Sequence, residues 1–128
     1  MADYLSTISG PRGTLKFVET AGTATLGVDV LVGGSLVYAV KIDATANTGE
    51  AVYLKLWFVD HAASAITVGT TAPNLVLRCP AGETVEYYIP LGISDSAQTE
   101  LNGAVVREAG TAGATAPSGT VSYTIIGA

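Results

Sequence analysis

Charged side chains are scarce in this sequence. Only 13% of its 128 residues are Asp, Glu, Lys or Arg, about half the share of an ordinary soluble domain. The deficit is heaviest in basic residues, six against eleven acids, for a net charge of −5. Those six stand at 12, 16, 41, 55, 78 and 107, too scattered for the basic patch that a phosphate backbone requires. A single cysteine, Cys79, cannot close an intrachain disulfide, so neither covalent staples nor an oxidising compartment are implied. A single histidine, His61, obliges any His-based triad or metal cluster to be built around it. Long apolar runs are missing too. The longest strongly apolar stretch is Leu56-Trp57-Phe58-Val59, far short of the roughly 20 residues that span a bilayer. The start, Met-Ala-Asp-Tyr-Leu-Ser-Thr-Ile, has an early acid, no basic segment and no apolar core, so no secretory signal is expected there.

What the chain does have is 48% apolar residues in 13.0 kDa, enough for one modest core and against disorder throughout. Those residues alternate with a period of two. Leu15 and Phe17 share a face, as do Leu26, Val28, Val30 and Val32. Leu36, Tyr38, Val40 and Ile42 follow, then Val52, Leu54, Leu56 and Phe58 against Tyr53, Lys55, Trp57 and Val59. Further on come Leu75, Leu77 and Cys79; Val85, Tyr87 and Ile89; and Val121, Tyr123 and Ile125. Such alternation marks half-buried strands. The second face of the 51–60 run is itself half apolar, which predicts a central strand or one whose outer face is covered.

Turn chemistry separates the runs. Gly33-Gly34 lies at hairpin spacing between the second and third. Asn47-Thr48-Gly49, Ala72-Pro73-Asn74, Pro80-Ala81-Gly82 and Pro90-Leu91-Gly92 mark the later breaks. Between Asp95 and Ala109, Asn102-Gly103 interrupts any helix and predicts a loop, then a strand at Ala104–Glu108. The expected fold is all-β: a single antiparallel β-sandwich, Ig-like or jelly-roll, of seven to eight strands over 14–128. An extended N-terminal arm, 1–13, is expected to precede it. Residues 109–119 form a small-residue loop before the last strand.

Chemistry-bearing groups are few. Asp60, His61 and Ser64 are close in sequence, yet neighbours on a strand point to opposite faces, so Asp60 would not orient His61. His61 therefore reads as a turn histidine, and Cys79 as a small buried hydrophobe. Glu83 and Glu86 are expected in solvent on opposite strand faces, and Asp29 and Asp43 on outward ones. Gly110-Thr111-Ala112-Gly113 is not followed by Lys-Ser/Thr, so a phosphate cradle is unsupported. No cofactor or metal is expected, and no enzymatic activity. Tyr53, Trp57, Tyr87 and Tyr88 could form a sugar-stacking platform if several shared an exposed face.

A family likeness rests on Tyr-Leu-Lys-Leu-Trp-Phe at 53–58, Thr-Val-Gly-Thr-Thr-Ala-Pro-Asn-Leu-Val-Leu at 67–77 and Pro-Ala-Gly-Glu-Thr-Val at 80–85. Pro90-Leu91-Gly92-Ile93 and Ala-Pro-Ser-Gly-Thr-Val at 116–121 continue it. Over residues 53–128 this cadence resembles small tailed-bacteriophage and prophage virion β-sandwich proteins. Residues 94–102 depart from the family pattern, and the first 50 match nothing in it. The resemblance implies a non-enzymatic virion protein, a capsid decoration or cement protein bridging capsomers. Its implied partners are the major capsid protein and copies of itself, as a trimer or another closed ring. It would sit on the capsid surface after assembly in the bacterial host cytoplasm, with no nucleic acid or membrane partner. Candidate assembly contacts are Tyr4, Leu5, Ile8, Pro11 and Arg12 of the arm, Tyr53 and Trp57 on the central run, and Pro117 in the late loop. The alternative reading is a carbohydrate-binding adhesion module of a fibre or head surface.

Overall fold

The alternating runs pair into two antiparallel sheets in a computed structural model, which describes residues 15–31, 36–94 and 100–128. Seven strands follow in chain order: β1 (Leu15–Glu19), β2 (Val37–Ala46), β3 (Val52–Trp57), β4 (Leu75–Cys79), β5 (Thr84–Ile93), β6 (Asn102–Val106) and β7 (Thr120–Gly127). There is no helix among the described residues. One sheet has the order β1-β7-β2-β5 and the other β4-β3-β6, so the expected β-sandwich is the fold observed. The arm at 1–13, with Tyr4, Leu5, Ile8, Pro11 and Arg12, lies outside the described residues, as does the Gly33-Gly34 turn.

The pairings are nested. β1 pairs with β7, β2 with β5, and β3 with β4, while Gly27, between β1 and β2, bridges Gly103 of β6. That is the order of one long hairpin. Rolling it up brings β7 against β2 and β6 against β3. The winding is that of a jelly roll rather than an Ig-like sandwich. The place of an eighth strand is taken by residues 22–31.

Alternation predicted a strand over 25–32, but the structure has a single bridge there. Asp29 turns the backbone into the left-handed region at φ 51, so the alternation is lost: Val28 is half exposed while Val30 and Leu31 are both buried. The segment still closes the edge of β6. Val105 N–H donates to Thr23 O, Gly27 and Gly103 exchange both backbone bonds, and Val30 N–H donates to Leu101 O. Asn102 fixes the turn by accepting the Asp29 N–H at 2.9 Å and donating to Val59 O at 2.8 Å. The strand expected at Ala104–Glu108 begins earlier, at Asn102. Gly103 fits within it because a Cβ there would lie 3.2 Å from Leu56 and 3.3 Å from the Tyr123 hydroxyl.

The core lies between the sheets. Val40 and Ile42 of β2 and Ile125 of β7 face Leu54 and Leu56 of β3 and Val105 of β6, all with no exposed surface. Each fully buried aliphatic side chain contributes about 1.5–3 kcal/mol relative to exposure. At the far edge, the β2–β5 register slips: Ala39 pairs with Tyr88, but Val37 pairs with Ile93. Tyr38 thus stands opposite a bulge of β5 containing Pro90, Leu91 and Gly92. Gly92 has φ +76, and a Cβ there would lie 2.7 Å from Leu36 and 2.9 Å from Tyr38. Pro90 is tolerated because β5 is an edge strand.

Candidate functional surface

Two of the four platform aromatics, Tyr53 and Trp57, which are also two of the expected assembly contacts, were expected on the outer face of β3. That face does carry Tyr53, Lys55 and Trp57, but the chain itself covers most of it. Trp57 is 1% exposed and packs with Ile66 and Ala104, with Leu26, Val59 and Val68 around them. Its indole Nε1–H donates to Thr71 O at 3.1 Å. The covering segment, 58–74, is pinned by Asn74, whose Oδ1 accepts the Phe58 N–H at 2.8 Å. Trp57 is therefore not available to a sugar or a neighbouring subunit in this structure, because its own loop supplies the cover. Tyr53 is half-buried, paired with Val106 and Arg78.

Lys55, between them, is fully buried. A charged residue on an outward strand face normally reaches solvent, so the sequence reading missed this one. Its Nζ donates to Gly110 O at 2.5 Å and Gly113 O at 3.0 Å. Burial pushes its pKa below the usual lysine value, opposed by the nearby Glu108 carboxylate. Gly113 tightens the turn by donating to Gly110 O, and a Cβ on it would lie 2.5 Å from the Glu108 Cβ. Glu108 Oε1 accepts the Thr115 N–H, which holds this carboxyl below the ordinary range.

The rest of the late loop is tied down in the same way. Arg107 N–H donates to Thr115 O, and the Arg107 guanidinium pairs with Glu50 at 3.4 Å. Ser118 Oγ donates to Glu50 Oε2 at 2.8 Å, and the buried Asn47 accepts the Gly119 N–H at 2.7 Å. Pro117 is half-buried in this stretch. The two covering loops also meet, since Gly69 at φ +96 leaves only 3.0 Å between its would-be Cβ and Ala114.

The remaining candidates are structural in their surroundings. His61 Nδ1 accepts the Ile66 N–H at 3.1 Å, and its own backbone N–H donates to Glu100. Asp60 Oδ1 accepts the Ala62 N–H and so caps the turn. Cys79 is fully buried, as expected, and burial raises its thiol pKa. Glu83 and Glu86 are exposed. Among the described residues, no group of three His, Cys, Asp or Glu side chains could hold a metal ion. Tyr87 joins the core margin and donates its hydroxyl to Arg78 O on the edge of β4.

Exposed apolar surface instead gathers on β5. Tyr88 is 70% exposed, Leu91 85% and Ile93 36%. Of the four aromatics proposed as a platform, only Tyr88 is broadly open, with its hydroxyl donating to Glu86 Oε2 at 2.9 Å. No family model matches the chain, and no curated protein or solved structure matches it.

Proposed function

We propose that this chain is a structural component of a tailed-phage virion, a capsid decoration or cement protein that stabilises the head by bridging capsomers. The observation that carries the reading is the apolar margin on β5. Leu91 stands 85% exposed at the tip of a bulge, and the bulge with Pro90 blunts the edge against the addition of another strand. A margin of this kind favours side-chain contacts with other protein surfaces. The low charge of the sequence and the resemblance of residues 53–128, apart from 94–102, to virion sandwiches support the same reading. Jelly rolls serve as capsid domains and as lectins alike, so the fold by itself is neutral.

Stabilisation would follow from mass action: a subunit that binds only the expanded lattice lowers its free energy by RT ln(1 + [L]/Kd) per site. The test is co-sedimentation with expanded heads stripped of the protein, comparing wild type with Leu91→Asp. Burying an unpaired carboxylate at a packed contact is expected to weaken binding at least about tenfold. Wild-type protein that fails to bind heads, or a variant that saturates them unchanged, rejects the proposal. The carbohydrate-binding alternative now rests on Tyr88 alone, and glycan-array binding abolished by Tyr88→Ala would favour it.

A further inference from the structure

The outer face of the four-stranded sheet is built from rows that the register fixes. One row runs Lys16, Ile126, Ala39, Tyr88 across β1, β7, β2 and β5. The next runs Val18, Thr124, Lys41, Glu86. Lys16, Lys41 and Glu86 are exposed, and Val18 is 50% exposed. Lys16, Lys41, Glu86 and Tyr88 rim a concavity of about 220 Å³ that reaches down to Ala39, Thr124 and Ile126. Positive charge lies on β1 at Lys16, negative charge lies on β5 at Glu86, and β2 between them carries both signs at Lys41 and Asp43.

We infer that this face is a two-fold contact between copies of the chain, with the symmetry axis parallel to the strands between β7 and β2. The proposal goes beyond the virion reading and applies to the isolated protein. Face-to-face sheets pack with their strands nearly aligned. An axis along the strands sets β1 of one copy over β5 of the other, and β7 over β2. Each Lys16 then meets the Tyr88 ring and the Glu86 carboxylate that the Tyr88 hydroxyl holds beside it, a cation–π and ion-pair contact. Each Ile126 falls over an Ala39, a large side chain into the hollow left by a small one, and each Lys41 falls over a Thr124. The other in-plane axis, across the strands, would stack each strand on its own copy. It would keep Lys16 over β1 and Glu86 over β5 of the other copy, at opposite edges of the contact and out of reach of each other. The match of Lys16 at one edge to Tyr88 and Glu86 at the other selects the first axis and selects a second copy as the occupant.

Strand spacing of about 4.8 Å and a rise of about 3.4 Å per residue make the face roughly 20 Å by 17 Å. That is well under the roughly 800 Å² per partner of a standard interface. The dimer is accordingly weak, populated near millimolar chain and dissociated at low micromolar.

Sedimentation equilibrium from about 10 μM to 1 mM tests it, on wild type, Lys16→Glu, Glu86→Lys and the double variant, each first shown to unfold at the wild-type midpoint. Each single reversal is expected to weaken the dimer about tenfold or more, and the double variant to return within about threefold of wild type. Amide chemical shifts of wild-type protein over the same range supply a second reading and are expected to move on β1, β2, β5 and β7. A chain that stays monomeric at 1 mM overturns the proposal. So does a trimer, a dimer indifferent to both reversals, or concentration-dependent shifts confined to other strands.

Discussion

Lys55→Met removes the one buried cation among the described residues while keeping most of the side chain's length. The loss falls on two carbonyls. Gly113 O, 3.0 Å from Nζ in a buried setting, is left without its donor, while Gly110 O, more open, can return to water. A hydrogen bond to a charged group is worth about 1.5–3 kcal/mol, and an orphaned buried acceptor costs about 1–3 kcal/mol. Working against this, methionine need not be desolvated as an ammonium must, and the depressed lysine pKa shows that burial disfavours the charge. We expect the loop terms to win, with a net loss of about 1–3 kcal/mol. The damage should also be local, because Lys55 ties β3 to residues 110–113 and not to the opposite sheet. Urea unfolding followed by fluorescence of Trp57, the only tryptophan, measures the global loss. Amide exchange at 108–115 should accelerate before exchange in β2 and β7 changes. A Lys55→Met protein as stable as wild type, with unchanged protection at 108–115, would refute the reasoning and make Lys55 a tolerated burial instead of a loop anchor.

Two further outcomes follow from the geometry. Gly92→Ala should lose about 1–2 kcal/mol in urea unfolding, since its φ of +76 strains any Cβ and Leu36 and Tyr38 already occupy the space. A neutral result would mean that the β5 bulge relaxes freely. Alkaline pH should destabilise the protein through Cys79: burial raises its folded-state pKa above the ordinary thiol value of 9.0, so the folded state holds the proton that the unfolded chain releases. That stability is complete below 9.0 and is lost as pH climbs through the folded value. The buried Tyr123 phenol adds a loss of the same sign above 10.0, and Lys55 opposes both as pH rises toward 10.5. The stability difference between wild type and Cys79→Ala isolates the thiol and should shift in favour of the variant between pH 8 and pH 10. A constant difference would rule the thiol out.

The strands were legible because a two-residue period needs only local pattern. Val52, Leu54 and Leu56 alternate in sequence and all three lie in the core. The same period misled at 25–32. Alternation records which residues can share a face, but a strand also needs a partner edge matched in length and register. Here Asp29 breaks the extended backbone after one bridge, so the alternation is lost although the segment still bonds the edge of β6. The candidate site suffered more. Tyr53, Lys55 and Trp57 were rightly placed on one outward face of β3, but outward on a strand is not the same as exposed. Lys55 finds its acceptors 55 and 58 residues away, and Trp57 finds Thr71 across a loop.

Scarce charge, one cysteine and alternating apolar residues thus determined by themselves an unstapled, all-β chain with little cationic surface. They also carried the half-apolar second face of β3. Only the tertiary structure decided what that face is for. Two loops fold back and bury it, and the open apolar surface moves to β5 and the outer rows of the four-stranded sheet. Strand periodicity is set by residues two apart, whereas cover and exposure depend on contacts between segments 14 to 58 residues apart, which no local pattern encodes.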